Sequence, residues 1–90
     1  MFLPQKAEKP QELSAITNGT KAQLIFVSSL CDYGLCVCNL VLSFDNKVGI
    51  YYINKNKLIG PVPEIQKIYL FETGISEKDP HIVRMSEVKE

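Results

Sequence analysis

Between Leu35 and Phe44 the chain alternates. Cys36, Cys38, Leu40, Leu42 and Phe44 recur at a spacing of two and are all apolar, while Leu35, Val37, Asn39, Val41 and Ser43 form a mixed second set. A period of two is that of a strand, whose successive side chains point to opposite faces. The first set is therefore the expected core face. The second set is three-fifths apolar and is expected to be at least half covered, which suits a central strand. Ahead of it, Gln23-Leu24-Ile25-Phe26-Val27-Ser28 is a β-branched and aromatic run of strand length. Cys31-Asp32-Tyr33-Gly34 between the two runs reads as a turn.

After Phe44, Asp45-Asn46-Lys47 turns the chain. Val48 to Ile53 is then a third strand, with Val48, Ile50 and Tyr52 on one face and Gly49, Tyr51 and Ile53 on the other. The inward set is taken to be the one holding Tyr52, leaving Tyr51 to cover the sheet's edge, and Gly49 is read as a bulge glycine. Asn54-Lys55-Asn56-Lys57 is a polar, hairpin-like tip, because asparagine tolerates the left-handed backbone of tight turns. Leu58-Ile59 returns briefly. Gly60-Pro61-Val62-Pro63 ends regular pairing, since proline has no amide to give a ladder.

The ends are less regular. Pro10 to Asn18 is predicted as a short helix, with proline at its first position, Glu12 in the first turn, Leu13 and Ile16 on one face, and Asn18-Gly19 as its stop. Pro63 to Thr73 can be read as a helix or, through Ile68-Tyr69-Leu70-Phe71, as a strand. The strand is favoured, because a helix would spread those residues around too much of its circumference. Glu77 to Pro80 is a polar turn and His81 to Met85 a last short strand. The whole is expected to be mainly β (with α+β as the variant). It would be an antiparallel meander of five to six strands, a small barrel or curled sheet, with one short N-terminal helix. Residues 1–9 form an N-terminal arm, 10–86 a single domain, and 87–90 a frayed end.

Composition narrows the classes. Ninety residues make one domain, since either half would be too small to bury a core. An apolar fraction of 46% with 22% charged is incompatible with disorder over most of the chain. Ten Lys and Arg balance ten Asp and Glu, so the broad basic footprint of a nucleic-acid binder is missing. Ala22 to Phe44 is long enough to cross a bilayer and carries only one charge. That charge, Asp32, sits near the middle, where an acid costs about 2.5–3.5 kcal/mol on insertion scales, so a membrane span is disfavoured. Three cysteines are too few and too odd for a secreted disulfide scaffold, and a reducing, cytoplasmic setting is expected. Asn18-Gly19-Thr20 matches a glycosylation acceptor only if the chain is secreted.

Candidate chemistry is sparse. Cys31, Cys36 and Cys38, with His81, have the residue types of a zinc site. Their spacing lacks the tight ligand pairs such sites draw on, and Cys36 and Cys38 read instead as core positions. Cys31, at a turn, is the expected exposed and reactive thiol, and a pocket near Cys31, Asp32 and His81 is the enzyme or ligand-binding alternative. Asp32 is expected to cap its turn by accepting backbone amides. Tyr51, Lys55 and Lys57 are the expected contact to a partner, or to single-stranded nucleic acid if the domain is a small barrel of that kind. No catalytic residue, metal or cofactor is assigned. The leading expectation is a non-enzymatic protein–protein interaction or small regulatory or inhibitory module, a viral origin being one guess. A homodimer is expected, because so short a chain hides little of its surface alone and a meander leaves open edges.

Overall fold

The computed structural model describes residues 10–89. The expected arm, residues 1–9, and the last residue of the expected frayed end lie outside the described residues. Seven strands are present: β1 Gln11–Glu12, β2 Thr20–Asp32, β3 Leu35–Phe44, β4 Lys47–Asn54, β5 Leu58–Ile59, β6 Ile68–Thr73 and β7 Val83–Glu87. They form one sheet in the order β1-β4-β3-β2-β6-β7-β5.

The expected β-rich domain is present, but it is not a pure antiparallel meander. β1 runs parallel to β4 and β5 parallel to β7, so the sheet is mixed. Both exceptions are two-residue strands at the margins, too short to leave any periodicity in the sequence. The expected helix over 10–18 is a single 3₁₀ turn, Leu13–Ala15, because the backbone just before it is drawn onto the edge of β4. A segment that short gains too few helical bonds to resist. Its two apolar residues still share a fate: Leu13 and Ile16 are both buried. β7 continues to Glu87 opposite Tyr69, and the Val88 amide donates to the Ile68 carbonyl.

The central hairpins follow local rules. β2 and β3 are joined by Tyr33-Gly34, and β3 and β4 by Asp45-Asn46; all four residues have positive φ, between 50° and 81°. That is the geometry of two-residue turns whose twist matches the strands they join. β3 spans the ten residues expected, with Cys38, Leu40 and Leu42 buried. In β4 the expected faces are reversed: Tyr51 and Ile53 are buried, while Tyr52 is half-buried on the opposite side. The pairing dictates this, because Leu40 lies opposite Tyr51 and Cys38 opposite Ile53, and paired residues share a face. Gly49 is not at a bulge; it underlies the Tyr51 ring.

The sheet cannot be flat. β4 and β5 are separated by only three residues, yet five strand spacings lie between them in the sheet order. Five spacings of a flat sheet measure roughly 24 Å. The chain from Asn54 to Leu58 reaches at most about 14 Å. The sheet therefore curls until its two ends approach. The thirteen buried apolar residues among those described form one cluster, drawn from β2, β3, β4, β6 and β7 and closed by Leu13 and Ile16.

Candidate interaction surface: the outer half of the β2–β3 hairpin

β2 is thirteen residues long, and its two halves have different neighbours. Thr20–Gln23 pair with β6. At Leu24 the amide donates to the Lys67 carbonyl (2.9 Å) and the carbonyl accepts the Gln66 amide (2.7 Å). Beyond that point, among the described residues, β2 pairs only with β3, through to Asp32 opposite Leu35. The register slips between Leu24 and Phe26, so that Ile25 is the extra residue of a bulge. The bulge ends the inward alternation of Ala22 and Leu24. Past it, Val27, Ser29 and Cys31 share the face of the core residues on β3, and Phe26, Ser28, Leu30 and Asp32 look out.

The turn also fixes which backbone groups are used. In a two-residue hairpin the pair flanking the turn is hydrogen-bonded, so Asp32–Leu35, Leu30–Val37, Ser28–Asn39 and Phe26–Val41 exchange bonds across the ladder. The intervening pairs do not; the Cα atoms of one of them, Cys31 and Cys36, are 4.0 Å apart, the close approach of a non-hydrogen-bonded pair. Val27, Ser29 and Cys31 therefore aim N–H and C=O away from β3, and no backbone partner among the described residues meets them.

Beside this open edge lies an apolar surface. Phe26 is 54% exposed, Leu30 65% and Leu35 63%, and Tyr33 at the tip is almost fully exposed. Half-buried Val37, Val41 and Ile50 continue the same face across β3 and β4. Asp32 is the only ionised side chain on the hairpin from Ile25 to Ser43. It is exposed and makes no side-chain hydrogen bond among the described residues, so it does not cap the turn as expected. The turn needs no such cap, because Tyr33 and Gly34 hold it by their own backbone conformation.

A disulfide joins Cys31 to Cys36 across the two strands, next to the turn. Cys31 is thus not a free thiol, contrary to expectation, because the two-residue turn sets it directly opposite Cys36. Only Cys38 remains free, and it is buried. The odd cysteine count resolves into one pair and one core residue, and no longer argues for a reducing compartment.

The other sequence-derived candidates are dispersed. Tyr51 is in the core beside Phe44, ring centroids 6.1 Å apart, so its face is not offered for stacking. Lys55 is exposed on the turn after β4. Lys57 is paired with Asp79, and its ammonium, followed by the His81 amide, holds the Asp79 carboxyl below its ordinary 3.8. His81 borders a cleft of about 190 Å³ with Glu12, Tyr52 and Lys57, and this cleft does not include Cys31 or Asp32. In it the Tyr52 hydroxyl donates to Glu12 Oε1 at 3.4 Å. A second groove, about 400 Å³, runs under the concave side of the hairpin between Val27 and Ser29 and the Gly60–Pro63 segment. No group of three His, Cys, Asp or Glu side chains among the described residues could hold a metal.

Sequence reasoning missed Phe26, Leu30 and Leu35 as surface residues. The signal lay in Tyr33-Gly34, whose two-residue turn determines the parity of everything before it. No helix among the described residues is long and apolar enough to cross a membrane, and the apolar stretch from Ala22 to Phe44 is two strands folded on each other. The chain matches no protein-family model, no curated protein and no solved structure.

Proposed function

We propose that this chain is a non-enzymatic protein-interaction module of the small regulatory or inhibitory kind, and that the outer half of the β2–β3 hairpin is its contact surface. One observation carries the reading: a strand edge whose backbone groups at Val27, Ser29 and Cys31 meet no partner among the described residues borders an exposed apolar face bearing Phe26, Leu30 and Leu35. An unpaired edge is a template for another chain, and backbone bonding with side-chain contact beside it is the strand-addition mode of recognition. The disulfide at the tip shortens the hairpin's range of motion, which lowers the ordering cost of binding. The nucleic-acid alternative is weakened by the burial of Tyr51 and the pairing of Lys57.

The test is site-specific photo-crosslinking in the native host. A photoreactive residue at Leu30 or Leu35 should give a discrete protein adduct, and one at Glu77, in the loop between β6 and β7, should not. Identical patterns from the hairpin and the loop would contradict the proposal.

A further inference from the structure

We propose that the occupant of the open β2 edge is the same edge of a second copy, running antiparallel about a twofold axis at Ser29. This rests on the interaction reading above and names its partner.

The sheet's margins differ in how they are protected. β5 is two residues long and is followed at once by Gly60-Pro61-Val62-Pro63. β4 is partly covered by β1, which itself is two residues long, charged at Glu12 and preceded by Pro10. Short strands, prolines and charges are the usual devices that keep edges from pairing with other chains. Val27 to Cys31 has none of them: no proline, no charge, and a regular ladder to β3 on its other side.

The parity of the edge accommodates self-pairing. Outward-facing groups recur at Val27, Ser29 and Cys31, symmetrically about Ser29. A twofold axis there sets Val27 opposite the second copy's Cys31 and Ser29 opposite the second copy's Ser29. Each of these residues has one donor and one acceptor to offer, so three bonded pairs leave no outward group of the edge unmet. On the apolar face the two copies of Leu30 become diagonal neighbours across the seam, within reach of each other. Charge permits this arrangement. Asp32 falls opposite the second copy's Phe26 rather than another carboxylate, and the chain's net charge is zero.

Sedimentation over about 1 µM to 1 mM, a range that brackets weak to moderate self-association, reads the oligomer. Amide hydrogen exchange on the same samples reads its geometry. The wild-type chain should pass from monomer to dimer. The amides of Val27, Ser29 and Cys31 should slow by about tenfold or more as it does, while those of Phe26, Ser28, Leu30 and Asp32 stay slow throughout. Ser29→Pro removes the central donor, which the fold itself does not use, and should sediment as monomer over the whole range. Leu30→Lys leaves the backbone intact and sets like charges across the axis, so it should also be monomeric even if the proline variant fails to fold. A monomer at every concentration would overturn the proposal. So would a dimer whose Val27, Ser29 and Cys31 amides still exchange fast, or a dimer that survives Leu30→Lys. A monomeric chain that still crosslinks from Leu30 to a different protein would overturn only the dimer, whereas loss of both results would overturn the interaction reading as well.

Discussion

Replacing Gly60 by alanine adds one methyl group at the point where β5 leaves β7, and the structure makes it costly. Gly60 has φ +149°, a conformation L side chains rarely adopt. A Cβ there would lie 2.2 Å from the Met85 carbonyl oxygen and 3.1 Å from its carbonyl carbon. Both are backbone atoms of β7, whose Val83 and Met85 side chains are buried, so relief requires β7 to move out of the core. Strain of about 1–3 kcal/mol for the backbone and a similar figure for forcing an atom into occupied space give a loss of about 2–6 kcal/mol. Gly49→Ala is the control. Its Cβ would meet the Tyr51 ring at 2.7 Å, but the contact is the ring's edge and the backbone is unstrained. A ring can swing where a strand cannot, and a cost of about 1 kcal/mol is expected. Urea denaturation of the three proteins measures both, provided the slope with denaturant is shared. For a domain of this size each kcal/mol also lowers the melting temperature by about 4–8 °C. The reasoning fails if Gly60→Ala costs no more than Gly49→Ala. It also fails if Gly60→Ala stabilises the protein by about 0.4–1 kcal/mol, as alanine does where the native backbone accepts it.

Three further outcomes follow from particular contacts. The Cys31–Cys36 bond closes a loop of sequence separation 5 at the hairpin tip, so Cys31→Ser with Cys36→Ser should cost at most about 2 kcal/mol in urea denaturation. A loss twice that size would mean the bond braces the core as well. Leu40→Ala, at a fully buried site, should cost about 2–5 kcal/mol, and Leu30→Ala, mostly exposed, should stay within about 0.5 kcal/mol; equal costs would contradict the inward and outward parity. The depressed Asp79 carboxyl stabilises the fold above its unfolded value near 3.8, and that contribution disappears as pH falls through the lower folded value. Lys57→Gln should therefore lower stability at neutral pH and lessen its fall below about pH 4, as followed by acid denaturation; unchanged curves would show the ion pair to be inert.

Legibility varied with the length of the element. β3 could be read in full, because ten alternating residues fix both face and bounds, and the strand reading of Ile68–Phe71 holds in β6, Ile68–Thr73. β1 was invisible as a strand, and the brief return at Leu58-Ile59 was seen as β5 without its parallel partner β7, since two residues carry no period and their pairing depends on how the sheet curls. The Tyr51 and Tyr52 assignment failed for a subtler reason. Val48, Ile50 and Tyr52 are as apolar as Gly49, Tyr51 and Ile53, so hydrophobicity alone cannot orient the strand. Counting back from the Asp45-Asn46 turn does orient it: the turn sets Phe44 opposite Lys47, and hence Leu40 opposite Tyr51. The same counting from Tyr33-Gly34 pairs Cys31 with Cys36. The bulge at Ile25 had no such marker, and it is what lets Leu24 face the core although the parity counted from Tyr33-Gly34, which turns Phe26 and Leu30 outward, would place it outside.

The most direct check is residue-resolved amide exchange of the hairpin in dilute protein, where copies do not meet. Phe26, Ser28, Leu30 and Asp32 should exchange slowly because β3 holds them, and Val27, Ser29 and Cys31 quickly because no described residue does. Equal protection of the two sets under those conditions would contradict the account, since it would mean that the outer half of β2 already has a neighbour on both sides.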